Sequence, residues 1–125
     1  MNILLDTHVL LWWLADDSCL GVKARRAIED ENNLTFVSTA SIWEIVIKKA
    51  LGKLKLPDSF REVLAAESFQ TLDITREHVF QVGSLPLHHR DPFDRLLVAQ
   101  CQVEKLTLVT NDPEILMYDI KFLNS

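Results

Sequence analysis

The chain predicts an α/β fold, a three-layer α/β/α sandwich around a mainly parallel central sheet, and three observations carry that prediction. Ile3, Leu4 and Leu5 form an apolar run too short for a helix, Asp6-Thr7 ends it, and Val9 to Leu14 is long enough to be one. The same order of apolar run, polar turn and helix returns with LTFV and STASIWEIVIKKALGKL, and its strand and acid return in TLVTND. Strands apolar on both faces belong inside a parallel sheet covered by helices, and alternating strands and helices build that architecture.

The remaining elements follow in order. Leu20, Ala24, Ala27 and Ile28 recur at helical spacing through LGVKARRAIEDE, an amphipathic surface helix that Asn32-Asn33 ends. LTFV is the second strand, and the helix after it stops at Gly52. Pro57-Asp58-Ser59 opens a helix to about Ser68, TLDI is a weak edge strand, and Thr75 opens a short helix through TREHVFQVG. The capping box of that helix reads as incomplete, because His78 stands where an acid or Gln is expected. SLPLHHRDP is a long structureless stretch bounded by Pro86 and Pro92, of the kind that carries function on a rigid scaffold. DPFDRLLVAQCQVEK is a helix, TLVT a strand, PEIL a short helical turn and IKFL a last strand.

With 125 residues, 48% of them hydrophobic, the chain suits one domain over residues 1–125. No apolar run approaches a membrane span, and the apolar start lacks a basic leader and carries Asp6 in its middle, so a cytoplasmic protein is expected. Cys19 and Cys101 lack paired spacing and fit two reduced, partly buried thiols. The net charge of −5 argues against a phosphate-rich partner at first sight. Setting four acids aside as one metal site leaves the rest nearly neutral, and bound cations would attract phosphate, so charge excludes nothing here.

Each prominent acid has an explanation without chemistry. Asp6 or Thr7 can cap the helix that follows. Ser41-Ile42-Trp43-Glu44 matches a capping box, and Glu44 lies four residues before Lys48. Asp91-Pro92-Phe93-Asp94 reads as N-cap, first-turn proline and first-turn acid, and Asp112-Pro113 repeats its start. The set says more than its members. Parallel strands end on one sheet edge, so Asp6, Glu44 and Asp112 would face one crevice with the start of the helix bearing Asp94. Two carboxylates about 4 Å apart repel by about 4 kcal/mol at an effective dielectric of 20, so four would gather only around a cation. All-oxygen ligation selects Mg²⁺ or Mn²⁺. No Cys or His pair has zinc spacing, and a chain with three glycines has no Gly-rich phosphate loop.

LLDTHVLLWWL, STASIWEIVIKKALGKL, HHRDPFDRLLVAQ and LVTND, in this order and spacing, resemble the PIN domain family, specifically the VapC-like toxin ribonucleases of toxin–antitoxin pairs. The resemblance covers nearly the whole chain. It implies a metal-dependent endoribonuclease whose acids, by position, are Asp6, Glu44, Asp94 and Asp112. It also implies a homodimer, an RNA substrate and a separately encoded antitoxin that covers the acidic crevice. Asp91 is an extra acid that either shares the metal or caps its helix. Thr7, Ser41 and Thr110 neighbour the acids and can hydrogen-bond metal-bound water or phosphate. Lys48, one turn beyond Glu44, either contacts RNA phosphate or pairs with Glu44. His88, His89 and Arg90 are expected to meet substrate phosphate from the loop, whereas His8 and His78 read as structural. Trp12, Trp13 and Trp43 read as core or dimer packing rather than base-stacking surfaces.

Two rival functions fit the same fold. A Mg²⁺-dependent phosphatase or phosphotransferase also places an Asp after the first strand of such a sheet, but Asp6-Thr7-His8 lacks the second Asp two residues on that the haloacid-dehalogenase type has. A non-catalytic binding module would have no need of all four acids.

Overall fold

A computed structural model describes all 125 residues. Its strands are β1 (Asn2–Leu5), β2 (Leu34–Ser38), β3 (Gln70–Leu72), β4 (Thr107–Thr110) and β5 (Lys121–Asn124). They form one sheet in the order β3-β2-β1-β4-β5, with every neighbouring pair parallel. The chain builds outward from β1 to β3 on one side and then returns to lay β4 against β1 on the other. The direction of winding reverses between β1 and β4, the place where sheets of this kind bind ligands beyond the strand ends.

The helices are α1 (Thr7–Leu14), α2 (Val22–Glu29), α3 (Thr39–Ala50), α4 (Phe60–Ala65), α5 (Arg76–Gly83) and α6 (Pro92–Glu104), with a 3₁₀ turn at Ile115–Met117. Ile3, Leu4 and Leu5 are fully buried because β1 is covered on both faces. Their side chains alternate as a strand demands. Ile3 and Leu5 enter a core with Val9, Leu10, Ala24, Ile28, Val37, Ile45 and Val109, whereas Leu4 enters a second core with Leu97, Val98, Cys101, Leu108 and Ile115. Each fully buried Leu or Ile contributes about 1.5–3 kcal/mol, so two such cores pin β1 and the residue that follows it.

Several boundaries differ from the sequence reading, each for a local reason. The N-cap of α3 is Ser38, whose hydroxyl accepts from the Ala40 N–H at 3.0 Å, so Ser41 lies inside the helix and Glu44 is not part of a capping box. The capping box of α5 is complete, contrary to expectation. Nδ1 of His78 accepts from the Thr75 N–H at 3.0 Å while Thr75 Oγ1 accepts from the His78 N–H at 3.3 Å, so an imidazole nitrogen serves where a carboxylate usually does. The His78 ring is buried and its Nε2 lies 2.7 Å from Glu104 Oε2, which makes this residue structural as expected. The chain leaves α3 through Gly52 at φ 71°, a left-handed position that only glycine takes without strain. Trp12 and Trp13 pack against the first core, while Trp43 is 55% exposed and meets Phe93 edge-on at 5.0 Å. Both cysteines are free, but neither is partly buried as expected: Cys101 is buried and Cys19 exposed.

Candidate metal centre at the carboxyl edge of the sheet

Asp6 is set by the sheet itself. Its N–H extends the ladder by donating to the Val109 carbonyl at 3.0 Å, and its own carbonyl accepts from Leu10 to start α1. It is the N-cap of α1 by position, yet its side chain makes no cap hydrogen bond. One carboxylate oxygen, Oδ2, accepts from the Thr110 hydroxyl at 2.7 Å, and the other, Oδ1, is buried without a partner. The residue is only 3% exposed. Burial raises the carboxyl pKa, partly offset by the Thr110 hydrogen bond, and the charge of Asp112 raises it further. The Thr110 hydroxyl also accepts from the Asp112 N–H at 3.1 Å, so it links the first and last acids. Asp112 caps the turn beyond it, its Oδ1 accepting from the Glu114 N–H at 2.9 Å.

Glu44 reaches the same edge from the second turn of α3. It is 4% exposed, with Oε2 2.6 Å from Lys48 Nζ and Oε1 buried without a partner. The hydrogen bond to Glu44 raises the Lys48 pKa, and the charges of Asp91 and Asp94 add to it, so the ammonium faces the acids. Ser41, one turn before Glu44, is buried and accepts from the Thr7 hydroxyl at 2.9 Å, which ties α3 to the start of α1.

The third side of the crevice is the loop before α6. Asp91 caps that helix, Oδ1 accepting from the N–H groups of Phe93 at 2.8 Å and Asp94 at 3.2 Å. Asp94, in the first turn, has a carboxyl pKa pushed up to about 8, first by burial and then by the charges of Asp6, Asp91 and Glu44. Beyond burial, the charges of three other acids reach this carboxyl, which links Asp94 electrostatically to Asp6, Asp91 and Glu44. His89 was expected to face substrate with its neighbours, but its ring turns inward and is only 12% exposed. Its Nε2 lies 2.9 Å from Asp94 Oδ2 and 3.1 Å from Asp112 Oδ2. Burial opposes a charge on this ring, but the hydrogen bond to Asp112 and the charges of Asp94, Asp112 and Glu114 outweigh it, and its pKa is raised. His88 instead meets Tyr118 edge-on at 5.0 Å from an exposed position, and Arg90 is exposed.

The pattern of the PIN domain family matches residues 3–123. The chain belongs to the PIN domain family. It is 32% identical to Ribonuclease VapC22 of Mycobacterium tuberculosis over 114 residues, 89% of this chain and 87% of that protein. Among solved structures, VapBC2 from Rickettsia felis bound to a promoter DNA fragment superposes with a TM-score of 0.76 at 18% identity, covering 100% of this chain and 99% of that one. DNA-bound VapBC from Salmonella typhimurium gives 0.69 at 15% identity, covering 99% and 98%. These two likenesses establish the same PIN fold.

The acids of this PIN domain have the chemistry of a cation site. Asp6 and Glu44 each present a buried carboxylate oxygen with no hydrogen-bond donor, and leaving such an atom bare costs about 1–3 kcal/mol or more. His89, Asp94 and Asp112 also bring one ligand-type atom each within 4.8 Å of one another. One participant was not foreseen from the sequence. Arg95, in the first turn of α6, donates to the carbonyls of Val82, Leu85, Pro86 and His89 and to the Tyr118 hydroxyl, and so holds the whole loop. Its position four residues after Asp91 suggests a helix ion pair and conceals this role. The available signal was a loop interrupted by two prolines, whose carbonyls need donors from outside.

Proposed function

We propose that this PIN domain is a single-domain, Mg²⁺- or Mn²⁺-dependent endoribonuclease, the toxin of a toxin–antitoxin pair. The observation that supports the proposal is the pair of bare buried carboxylate oxygens on Asp6 and Glu44 at the carboxyl edge of the sheet, with Asp94 and Asp112 drawn together around His89. The reaction is in-line hydrolysis, in which water adds to phosphorus and the bond to the departing ribose oxygen breaks. A bound divalent ion would polarise the phosphoryl oxygen and lower the pKa of water.

The protein's own groups prepare that chemistry. Asp6, Glu44, Asp94 and Asp112 are the residues that would hold the ion, and Asp91 serves mainly to cap α6. Thr110 fixes the orientation of the Asp6 carboxylate, and the Thr7–Ser41 bond holds two of the acid-bearing elements in register. Lys48 offsets the charge of Glu44 and presents the remaining N–H bonds of its ammonium to substrate phosphate. His88 and Arg90 stand on the exposed loop, where they would meet the RNA backbone.

Kinship with Ribonuclease VapC22 and the fold shared with VapBC complexes support an RNA substrate and an antitoxin partner. The antitoxin would cover the crevice, the active form would be a homodimer, and its place would be the cytoplasm. No helix is long and apolar enough to cross a membrane. Structured RNAs and a generic phosphomonoester, each incubated with the purified protein with and without Mn²⁺, test the reading. RNA cut internally only with metal, and an untouched monoester, is the expected result; metal-independent cleavage or monoester hydrolysis would overturn it.

A further inference from the structure

We propose that His89 is a built-in occupant of the acid cluster, an N–H group bonded to Asp112 and lying against Asp94, and that a divalent ion engages these two carboxylates only by displacing the ring. The inference rests on the reading of the acids as a metal centre and adds to it a competitor supplied by the chain itself.

The role of the His89 ring depends on which of its nitrogens carries hydrogen. Nδ1 of His89 lies 3.1 Å from the Asp91 backbone N–H, which needs an acceptor, so in the neutral ring the hydrogen resides on Nε2. That nitrogen is the one hydrogen-bonded to Asp112 Oδ2 at 3.1 Å and placed 2.9 Å from Asp94 Oδ2. An Nε2–H has no lone pair for a metal. Ligation through Nε2 would move the hydrogen to Nδ1, where it would face the Asp91 N–H donor to donor, with Glu114 Oε2 at 3.3 Å left as the acceptor. Doubly protonated, the ring loses the Asp91 contact but keeps both carboxylates, so in either protonation state Nε2 is a donor.

The backbone of His89 is fixed on both sides, which makes this seat a designed one. Its N–H donates to the Tyr118 hydroxyl at 3.0 Å, and its carbonyl accepts from Arg95 at 3.4 Å. Arg95 also donates to the Tyr118 hydroxyl at 3.1 Å, closing a ring of contacts around the residue. The side chain can therefore swing away by rotating about its own bonds while the loop remains in place. Neither Asp6 nor Glu44 carries such a clasp, since each keeps one buried carboxylate oxygen without a partner. The cluster is thus half open and half occupied, and His89 is a positioning residue that sets metal affinity.

Calorimetric titration with Mn²⁺ tests the proposal on parent, His89→Ala, His89→Gln and Asp6→Asn. Removing the clasp should tighten Mn²⁺ binding about tenfold in His89→Ala, with His89→Gln in between, whereas Asp6→Asn should weaken it. Weaker binding in His89→Ala would make the ring a ligand, and unchanged binding would make it a bystander; either overturns the proposal. Nitrogen-15 correlation of the imidazole in parent protein provides a second reading without metal. It should show hydrogen on Nε2, and Mg²⁺ should shift that signal. A neutral ring with hydrogen on Nδ1 would sink the clasp even if the metal centre stood. Conversely, if neither parent nor His89→Ala bound Mn²⁺ while the Nε2–H signal was present, the metal centre itself would fail and the competition with it.

Discussion

The starts of α1 and α6 look alike in sequence and behave differently in the fold. Both open with an aspartate at the N-cap, Asp6 and Asp91, beside the same crevice. Asp91 spends Oδ1 on two N–H groups of its helix, whereas Asp6 makes no such bond and keeps Oδ1 buried and bare. The difference lies in what precedes each residue. Asp6 follows a central strand whose ladder it continues, so its backbone direction is set by the sheet and its carboxylate is carried into the crevice. Asp91 follows a loop, and its carboxylate folds back on the helix it begins. In this pair, the element before the acid decides whether its carboxylate stays free or turns back on the helix.

The largest test of that contrast is in catalysis. Asp6→Asn should lower the rate of RNA cleavage by about a hundredfold or more under saturating Mn²⁺, because the amide keeps the shape and removes a charged ligand. Asp91→Asn, which preserves a cap, should stay within about tenfold of the parent. Equal losses in the two, measured as single-turnover rates, would erase the distinction.

Stability in chelator sharpens it. Crowded carboxylates strain the ion-free cluster, so Asp94→Asn and Glu44→Gln should melt at or above the parent's temperature in chelator. Arg95→Met, which strips donors from the loop carbonyls, should cost about 1–3 kcal/mol in urea unfolding. Asp91→Ala should lose about 0.5–2 kcal/mol with chelator or with Mg²⁺ alike. Added Mg²⁺ should stabilise the parent by its concentration relative to its dissociation constant, and hardly stabilise Asp94→Asn. An Asp94→Asn protein that was less stable in chelator and responded fully to Mg²⁺ would return Asp94 to a capping role.

The smallest effect is expected on the exposed loop. His88→Ala with Arg90→Ala should change stability by less than about 0.5 kcal/mol, yet raise KM for RNA and flatten its salt dependence. An unchanged KM across several salt concentrations would remove these two residues from the substrate path.

The sequence made the sheet and its helices legible because β1, β2 and β4 are short, largely apolar strands rich in β-branched and aliphatic residues, each followed by a polar turn at the edge. Asp6 and Asp112 follow from that rule, whereas Asp94 follows from the start of its helix and from the family resemblance. Glu44 was harder, since Ser41 three residues before it imitates a capping box while the helix begins at Thr39. His89 was read as a phosphate contact rather than a neighbour of the acids, and Arg95 was not singled out. Their partners are set by the path of a loop between two prolines, and no periodicity encodes which carbonyls or carboxylates such a path brings near. His78 taught the reverse lesson, an imidazole completing a motif that its residue type appeared to break.

The hydrogen bond from Thr110 to Asp6 joins residues 104 positions apart. A ribosome adding about 5–20 residues per second completes β4 roughly 5–20 s after β1. Until then the nascent chain holds Asp6, Glu44 and Asp94 but has neither Asp112 nor the strand that aligns Asp6. A protein whose proposed work is to destroy RNA thus stays unassembled while it is still attached to the message being read. The parallel sheet, with its first-made strand at the centre and a late-made one beside it, is in this sense a timer.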